Sequence, residues 1–322
     1  ESMMTMAADA GLERGRDILN GTPGIVPVGL GFDTLEFNAT DPFVAPPQLP
    51  AGMFFTSPYV GRLKALWQHL HPVAHELFPA APGRFSTDAY LNRVAEIYTH
   101  DAYHSLSIEG YQVTPELIVR IAAGEWNPVT DGPDQQQVNA MAAKGYHEAF
   151  KAVMLSLREI LDGRPAPAVV SRDLPAWYRA LFSPSVQAGF LPAHALAGYR
   201  NRPVFIRASE HVPPPHEALP ELLHTLFELL AAEPSAGVQA VLGHFFFVYI
   251  HPYSDGNGRI GRFILNAMLA AGGYPWTVIR VEQRQAYMAA LENASVRRDI
   301  SGFTRFVAAE MAASAKFEGP KL

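Results

Sequence analysis

Residues 245–262 read F-F-F-V-Y-I-H-P-Y-S-D-G-N-G-R-I-G-R, and the reading of this run decides the fold. Taken as strand, turn and helix, residues 245–250 form a buried strand and Gly256, Gly258 and Gly261 match the dinucleotide pattern G-x-G-x-x-G. Residues 277–281, closed by Glu282, would then mimic a second strand with its acidic end. Taken as helix, loop and helix, the apolar run is core packing and the glycines shape a loop. The flanking sequence chooses the second reading, because it holds no series of alternating strands and helices that could build a parallel sheet. A phosphate loop of the G-x-x-x-x-G-K-[ST] type is absent too.

Working outward, helical periodicity dominates. Leu63, Leu66, Trp67, Leu70, Val73, Ala74 and Leu77 recur at helical spacing over 58–78, with Pro72 expected to kink or divide the helix. Further helices are expected from a cap at Ser86 or Thr87 to Leu106, then over 114–123 and 133–161. Beyond the midpoint come 217–232, 235–250, 257–271, 282–293 and 300–313. One stretch departs from the pattern: Val204, Phe205 and Ile206 form a short β-favouring run closed by Pro213, Pro214 and Pro215, which predicts a hairpin or lone strand. Before all of this, prolines 23, 27, 42, 46, 47 and 50 rule out a regular helix and predict an extended arm. The expected organisation is an arm (1–58), an N-terminal helical region (59–134) and a catalytic core with C-terminal helices (135–322). The fold class is mainly α with one small β element.

The 322 residues are 48% hydrophobic and 17% charged, enough apolar material for a large core, and the net charge of -6 offers no global attraction to nucleic acid or anionic lipid. With no cysteine, disulfides, thiolate metal sites and a cysteine nucleophile are excluded. The first ten residues lack a basic and then apolar leader pattern, and no run of about 18 apolar residues follows, so a soluble, cytoplasmic protein is expected.

The loop itself is dense in chemistry. Gly256, Asn257 and Gly258 can turn successive N–H groups toward an anion, and a helix starting there adds its positive end. Arg259 and Arg262, three apart, share a helix face and suit bidentate contact with phosphate oxygens. Asp255 supplies one oxygen ligand for Mg²⁺, enough only beside a phosphate. His251 titrates near neutrality and stands at the mouth of the loop, as a general base would. By itself a His, Asp, Asn and Gly loop is most often only a turn; two arginines following directly in a helix are harder to dismiss.

Residues 251–262 resemble the motif of the Fic family, H-P-F-x-D-G-N-G-R-x-x-R, at every fixed position but one, where Tyr253 stands for Phe. The resemblance extends over about residues 86–312. It implies a Fic-type helical bundle with a short β-hairpin flap, and protein adenylyltransfer, in which a target hydroxyl attacks the α-phosphorus of ATP and pyrophosphate leaves. Carried onto this chain, His251 is the base and Asp255 the Mg²⁺ ligand. Gly256, Asn257 and Gly258 cradle the α- and β-phosphates, while Arg259 and Arg262 hold the outer ones. Val204, Phe205 and Ile206 would align the target protein, Tyr287 would line the adenine site, and Ser295 replaces an Asn found in some relatives. Self-modification is a possible outcome of such chemistry. Upstream, Ser105, Glu109 and Gly110 in S-L-S-I-E-G resemble the inhibitory motif [S/T]-x-x-x-E-[G/N] of Fic proteins whose inhibitory helix precedes the core. Glu109 is then expected to pair with Arg262 and deny it to the γ-phosphate.

Rival readings are removal of AMP at the same site, transfer of another phosphate-containing group, and a nucleotide-sensing module without turnover. The Doc-type kinase branch departs at the G-N-G-R positions intact here. The pairs His71 with His75 and His100 with His104 have metal-ligand spacing but no third ligand, and Trp67, Trp126, Trp177 and Trp276 read as packing residues.

Overall fold

A computed structural model describes residues 57–83, 86–126, 134–196 and 198–316; nearly all of the expected arm lies outside the described residues. Eleven α-helices occupy them. Ser57 caps α1 (Pro58–Leu77) by accepting from the Tyr59 N–H (3.2 Å), and the buried face is Val60, Leu63, Leu66, Trp67, Leu70 and Ala74. The helix continues through Pro72 rather than dividing there. Pro72 and Gln68 are both exposed, so the Gln68 carbonyl left without its donor faces water.

The single helix expected from Ser86 to Leu106 is two, α2 (Thr87–Glu96) and α3 (Tyr98–Ile108), broken at Ile97 with φ -91° and ψ 0°. The break lets α3 bury polar as well as apolar residues. Asp101 accepts from Tyr146 Oη (2.7 Å) and Trp276 Nε1 (3.0 Å), so its burial is compensated by two hydrogen bonds. Thr114 then caps α4 (Pro115–Ala122), and α5 (Asp134–Leu161) packs along α6 (Ala166–Gln187), a helix that the sequence reading does not contain.

After α7 (Leu219–Ala232) come the two central helices, α8 (Ala236–Ile250) and α9 (Asn257–Ala271), each apolar and buried on almost every side. Helices buried all round belong at the centre of a bundle. The others wrap them, ending with α10 (Arg284–Val296) and α11 (Ser301–Ala315). Among the described residues no helix is long and apolar enough to cross a membrane.

The expected β-hairpin is not found: no strand is assigned among the described residues. Val204, Phe205 and Ile206 run without regular structure, and the one turn bond there is Ser209 N–H to the Ile206 carbonyl (3.2 Å). A ladder needs a second strand, and the return limb passes through Pro213, Pro214 and Pro215, which have no N–H to donate.

Candidate active site

The site is built where α8 stops. A helix leaves its last carbonyls without intrahelical donors, and here each of several is taken by a specific group. His251, in the left-handed region at φ 53°, donates its backbone N–H to the Phe247 carbonyl (3.0 Å). Its Nδ1 lies 3.2 Å from the Val248 carbonyl. A carbonyl only accepts, so Nδ1 carries the proton and Nε2 keeps its lone pair. Burial lowers the pKa of this imidazole, while the Val248 hydrogen bond raises it and the nearby Arg200 and His211 depress it further. The ring is therefore neutral near pH 7, as a base must be.

The loop after His251 is stapled by Asn257. Its Oδ1 accepts from the Tyr253 N–H (3.0 Å) and its Nδ2 donates to the Tyr253 carbonyl (2.7 Å). The side chain expected in a phosphate cradle is thus spent on loop shape, and Asn257 can offer an anion only its backbone N–H. Gly256 sits at φ 82°, where a side chain is strained, and a Cβ there would lie 2.8 Å from the Phe182 ring. The first bond of α9 is Ile260 N–H to the Gly256 carbonyl (3.0 Å), so the N–H groups of Asn257, Gly258 and Arg259 precede the intrahelical ladder, at its positive end. Asp255 accepts from Gly256 N–H (2.6 Å) and Arg259 Nη2 (3.1 Å), with its side chain 60% exposed. Among the described residues there is no group of three His, Asp or Glu able to hold a metal. A carboxylate with open oxygen faces fits Mg²⁺ only as one ligand among phosphate oxygens and waters.

Both arginines are buried, Arg259 at 1% and Arg262 at 4% exposure. Arg259 is sandwiched between the rings of Tyr111 (5.1 Å) and Phe182 (5.0 Å). Arg262 reaches α3: Nε donates to Ser105 Oγ (2.9 Å), and Nη2 to the Ser105 carbonyl (2.9 Å) and to Glu109 Oε1 (2.7 Å). Burial acts against the guanidinium charge, and the Glu109 carboxylate, together with Tyr287 and Tyr146, more than offsets it, so the Arg262 pKa is raised. Two buried guanidinium N–H groups, Arg259 Nε and Arg262 Nη1, have no hydrogen-bond partner among the described residues.

The structure brings Ser105, Glu109, Asp255, Gly256, Gly258, Arg259 and Arg262 into one cluster joined to His251 by the loop. Gly110 follows Glu109 at φ 92°, ending α3. Tyr287 lies behind Arg262, whose charge it feels: it is 1% exposed, its hydroxyl is 2.8 Å from His244 Nε2, and burial pushes its pKa to about 12. Phe205, by contrast, is 79% exposed. Residues that sequence reasoning missed are Tyr111 and Phe182, which hold Arg259, Tyr178, stacked on Tyr253 at 3.7 Å, and Arg200, which bonds the His251 carbonyl at 2.8 Å. Of the spaced histidines, His104 accepts the Val281 N–H at Nδ1 (3.1 Å) and His71 pairs with Glu233 (2.5 Å).

Residues 171–269 match the model of the Fic/DOC family. A protein adenylyltransferase Fic from Nematostella vectensis is 32% identical over 219 residues, 67% of this chain and 47% of the relative. Its namesake in Drosophila willistoni is 30% identical over 217 residues, 66% of this chain and 40% of the relative. The chain thus spans about half the length of these curated relatives, or less. Among solved structures, Fic-1 (residues 134–508) of C. elegans superposes with a TM-score of 0.56 at 22% identity, covering 80% of this chain and 72% of that one. A Fic-domain signalling protein of Bacteroides thetaiotaomicron gives 0.55 at 18% identity, covering 79% and 94%.

Proposed function

Because this chain belongs to the Fic/DOC family through residues 171–269, we propose that it transfers AMP from ATP to a Ser, Thr or Tyr hydroxyl of a target protein, and that Glu109 holds it at rest. The observation that carries this reading is the pair of orphaned donors, Arg259 Nε and Arg262 Nη1, buried beside the N-terminus of α9. Buried donors without acceptors are rare in folded proteins. A polyphosphate would supply oxygens to both, and the helix end adds its own N–H groups.

In the proposed reaction His251 Nε2 takes the proton of the incoming hydroxyl. The hydroxyl oxygen bonds to the α-phosphorus, and the bond to the bridging oxygen breaks, so that pyrophosphate leaves with the electron pair. Asp255, together with phosphate oxygens, would hold Mg²⁺, which neutralises charge on the leaving group when bound. Arg259 and Arg262 orient the outer phosphates. The unpaired run of Val204, Phe205 and Ile206 is the edge along which an extended target segment would lie. Glu109, by engaging Arg262, withholds the γ-phosphate contact and leaves the α-phosphorus misdirected.

In this reading residues 135–322 form the catalytic core, and residues 59–134 carry the inhibitory element. A cysteine-free chain that uses ATP suits the cytoplasm. The test is incubation with ATP labelled on the α- or the γ-phosphate, using the wild-type chain and Glu109→Gly, with self-modification as readout. AMP transfer attaches only the α-label to protein; attachment of the γ-label would mean a kinase instead.

A further inference from the structure

The Arg200 guanidinium is buried, the residue being 5% exposed, yet its hydrogen bonds all go to backbone carbonyls. Nε donates to the His251 carbonyl (2.8 Å), Nη1 to the Arg202 carbonyl (3.1 Å) and Nη2 to the Pro214 carbonyl, while its backbone N–H donates to the Pro252 carbonyl (2.9 Å). The acceptors come from three places: the catalytic loop, the start of the exposed 202–214 segment, and its end. A buried cation among neutral acceptors is a poor stabiliser, whereas a planar fork with five fixed donors is well suited to hold several carbonyls in set directions.

The rest of the flap is fastened in the same sense. His211 Nε2 lies 2.8 Å from the Tyr249 carbonyl, so it donates there, and its ring stacks on Tyr249 at 4.1 Å. The last carbonyls of α8 and its cap are thus divided between the histidine and the flap: Phe247 and Val248 receive His251, Tyr249 receives His211, and residue 251 itself receives Arg200. Glu292 of α10 accepts from Ser209 Oγ (2.5 Å) and the Glu210 N–H (2.7 Å). Between these fastenings Phe205 projects outward, 79% exposed.

We propose that Arg200 is a positioning residue that registers the flap against His251, so that a hydroxyl on a segment laid along residues 204–206 arrives at Nε2. This rests on the reading of His251 as base and of the flap as the docking edge. Arg200 touches neither nucleotide nor hydroxyl; it acts through the carbonyls it holds. Lysine keeps the charge but offers a compact ammonium in place of the fork.

The experiment places Arg200→Lys in the Glu109→Gly chain and makes two measurements. Hydrogen exchange of the flap amides, which needs no activity, should quicken about tenfold or more while the thermal midpoint of the whole chain stays within a few degrees. Initial transfer of α-label to protein should fall by about tenfold or more, with ATP affinity changed less than about twofold. Unchanged flap exchange overturns the inference, and so does a loss of transfer matched by an equal loss of ATP affinity, which marks a merely structural residue. If the Glu109→Gly parent attaches no α-label at all, the proposed activity fails, and the exchange measurement still decides the role of Arg200. Should Arg200→Lys not fold, His211→Gln carries the same test, because it frees the outer limb from Tyr249 and leaves Arg200 in place. Flap exchange and transfer unchanged in that variant would equally overturn it.

Discussion

A Cβ on residue 258 would lie 2.3 Å from Glu109 Oε1, so the Glu109 carboxylate rests directly against the backbone of Gly258 in the first turn of α9. The carboxylate therefore has a double hold. It pairs with Arg262 at 2.7 Å and it takes the position at a helix N-terminus that suits an anion. A carboxylate placed there would compete with a phosphate for the same field.

That contact makes a double-mutant cycle informative. Gly258→Ala in the wild-type chain should be destabilising, because the carboxylate must shift, whereas in Glu109→Gly the nearest remaining group is Arg262 Nη1 at 3.2 Å. The cost of the alanine should be smaller in the second background, with a coupling of about 1 kcal/mol or more by denaturant unfolding. Equal costs in both backgrounds would place the carboxylate elsewhere in solution.

His251→Ala removes the imidazole proposed as base but leaves both arginines and the loop. Transfer should fall by about 10²-fold or more with ATP affinity little changed. The pH profile carries an independent sign. A base works when neutral, so the rate climbs as pH rises through its folded pKa, and burial depresses that pKa below the ordinary 6.5. The rising limb, measured in Glu109→Gly, should have its midpoint below 6.5 and be flat by pH 7; a midpoint above the ordinary value would contradict the assignment.

Asp255→Asn keeps an oxygen in place and removes the charge that attracts a divalent cation. Titration of Mg²⁺ against transfer rate should move to higher concentration by about tenfold or more, with partial recovery at saturation. An unmoved titration would assign the cation, if one is needed, to other groups.

His104 lies on the helix that carries Glu109, and burial lowers its pKa to about 4, with His100 beside it acting in the same direction. Its folded pKa is depressed, so the neutral-state stabilisation is complete above 6.5 and is lost as pH falls toward 4. By pH 5 that loss is about 2 kcal/mol. His104→Asn keeps an acceptor for the Val281 N–H and cannot be protonated there. Thermal melts at pH 7 and pH 5 should differ less for this variant than for wild type; the same difference in both would remove His104 from the account.

Much of this was legible in the residues, and the misses have physical causes. The start of α9 follows from Gly256, Asn257 and the two arginines, and α8 from an apolar run capped by Ser235. Helix α6 lies outside the helices expected from the sequence: Pro167, Pro175 and Pro184 interrupt its run, although Val170, Leu174, Trp177, Tyr178 and Leu181 recur at helical spacing and are buried. Pro167 falls in the first turn, where it costs little, and Pro175 is exposed, as is Ser171, whose carbonyl it leaves unbonded. Tyr287, Ala290 and Ala294 form the buried stripe of α10, whereas the role given to Tyr287 came by resemblance alone. The hairpin failed because β-propensity at residues 204–206 says nothing about whether a partner strand exists in the same chain. Arg200 could not be found at all: its acceptors are carbonyls, which every residue has.

The initial rate at which the α-label of ATP becomes bound to protein in Glu109→Gly, compared with wild type, decides whether Glu109 restrains the site. If Glu109 withholds Arg262 from the γ-phosphate, the substitution should raise that rate by about tenfold or more, as expected when a pair worth over about 1.4 kcal/mol is released. The gain should vanish when His251→Ala is added. A Glu109→Gly chain that is folded, binds ATP and transfers no faster than wild type would contradict that restraint.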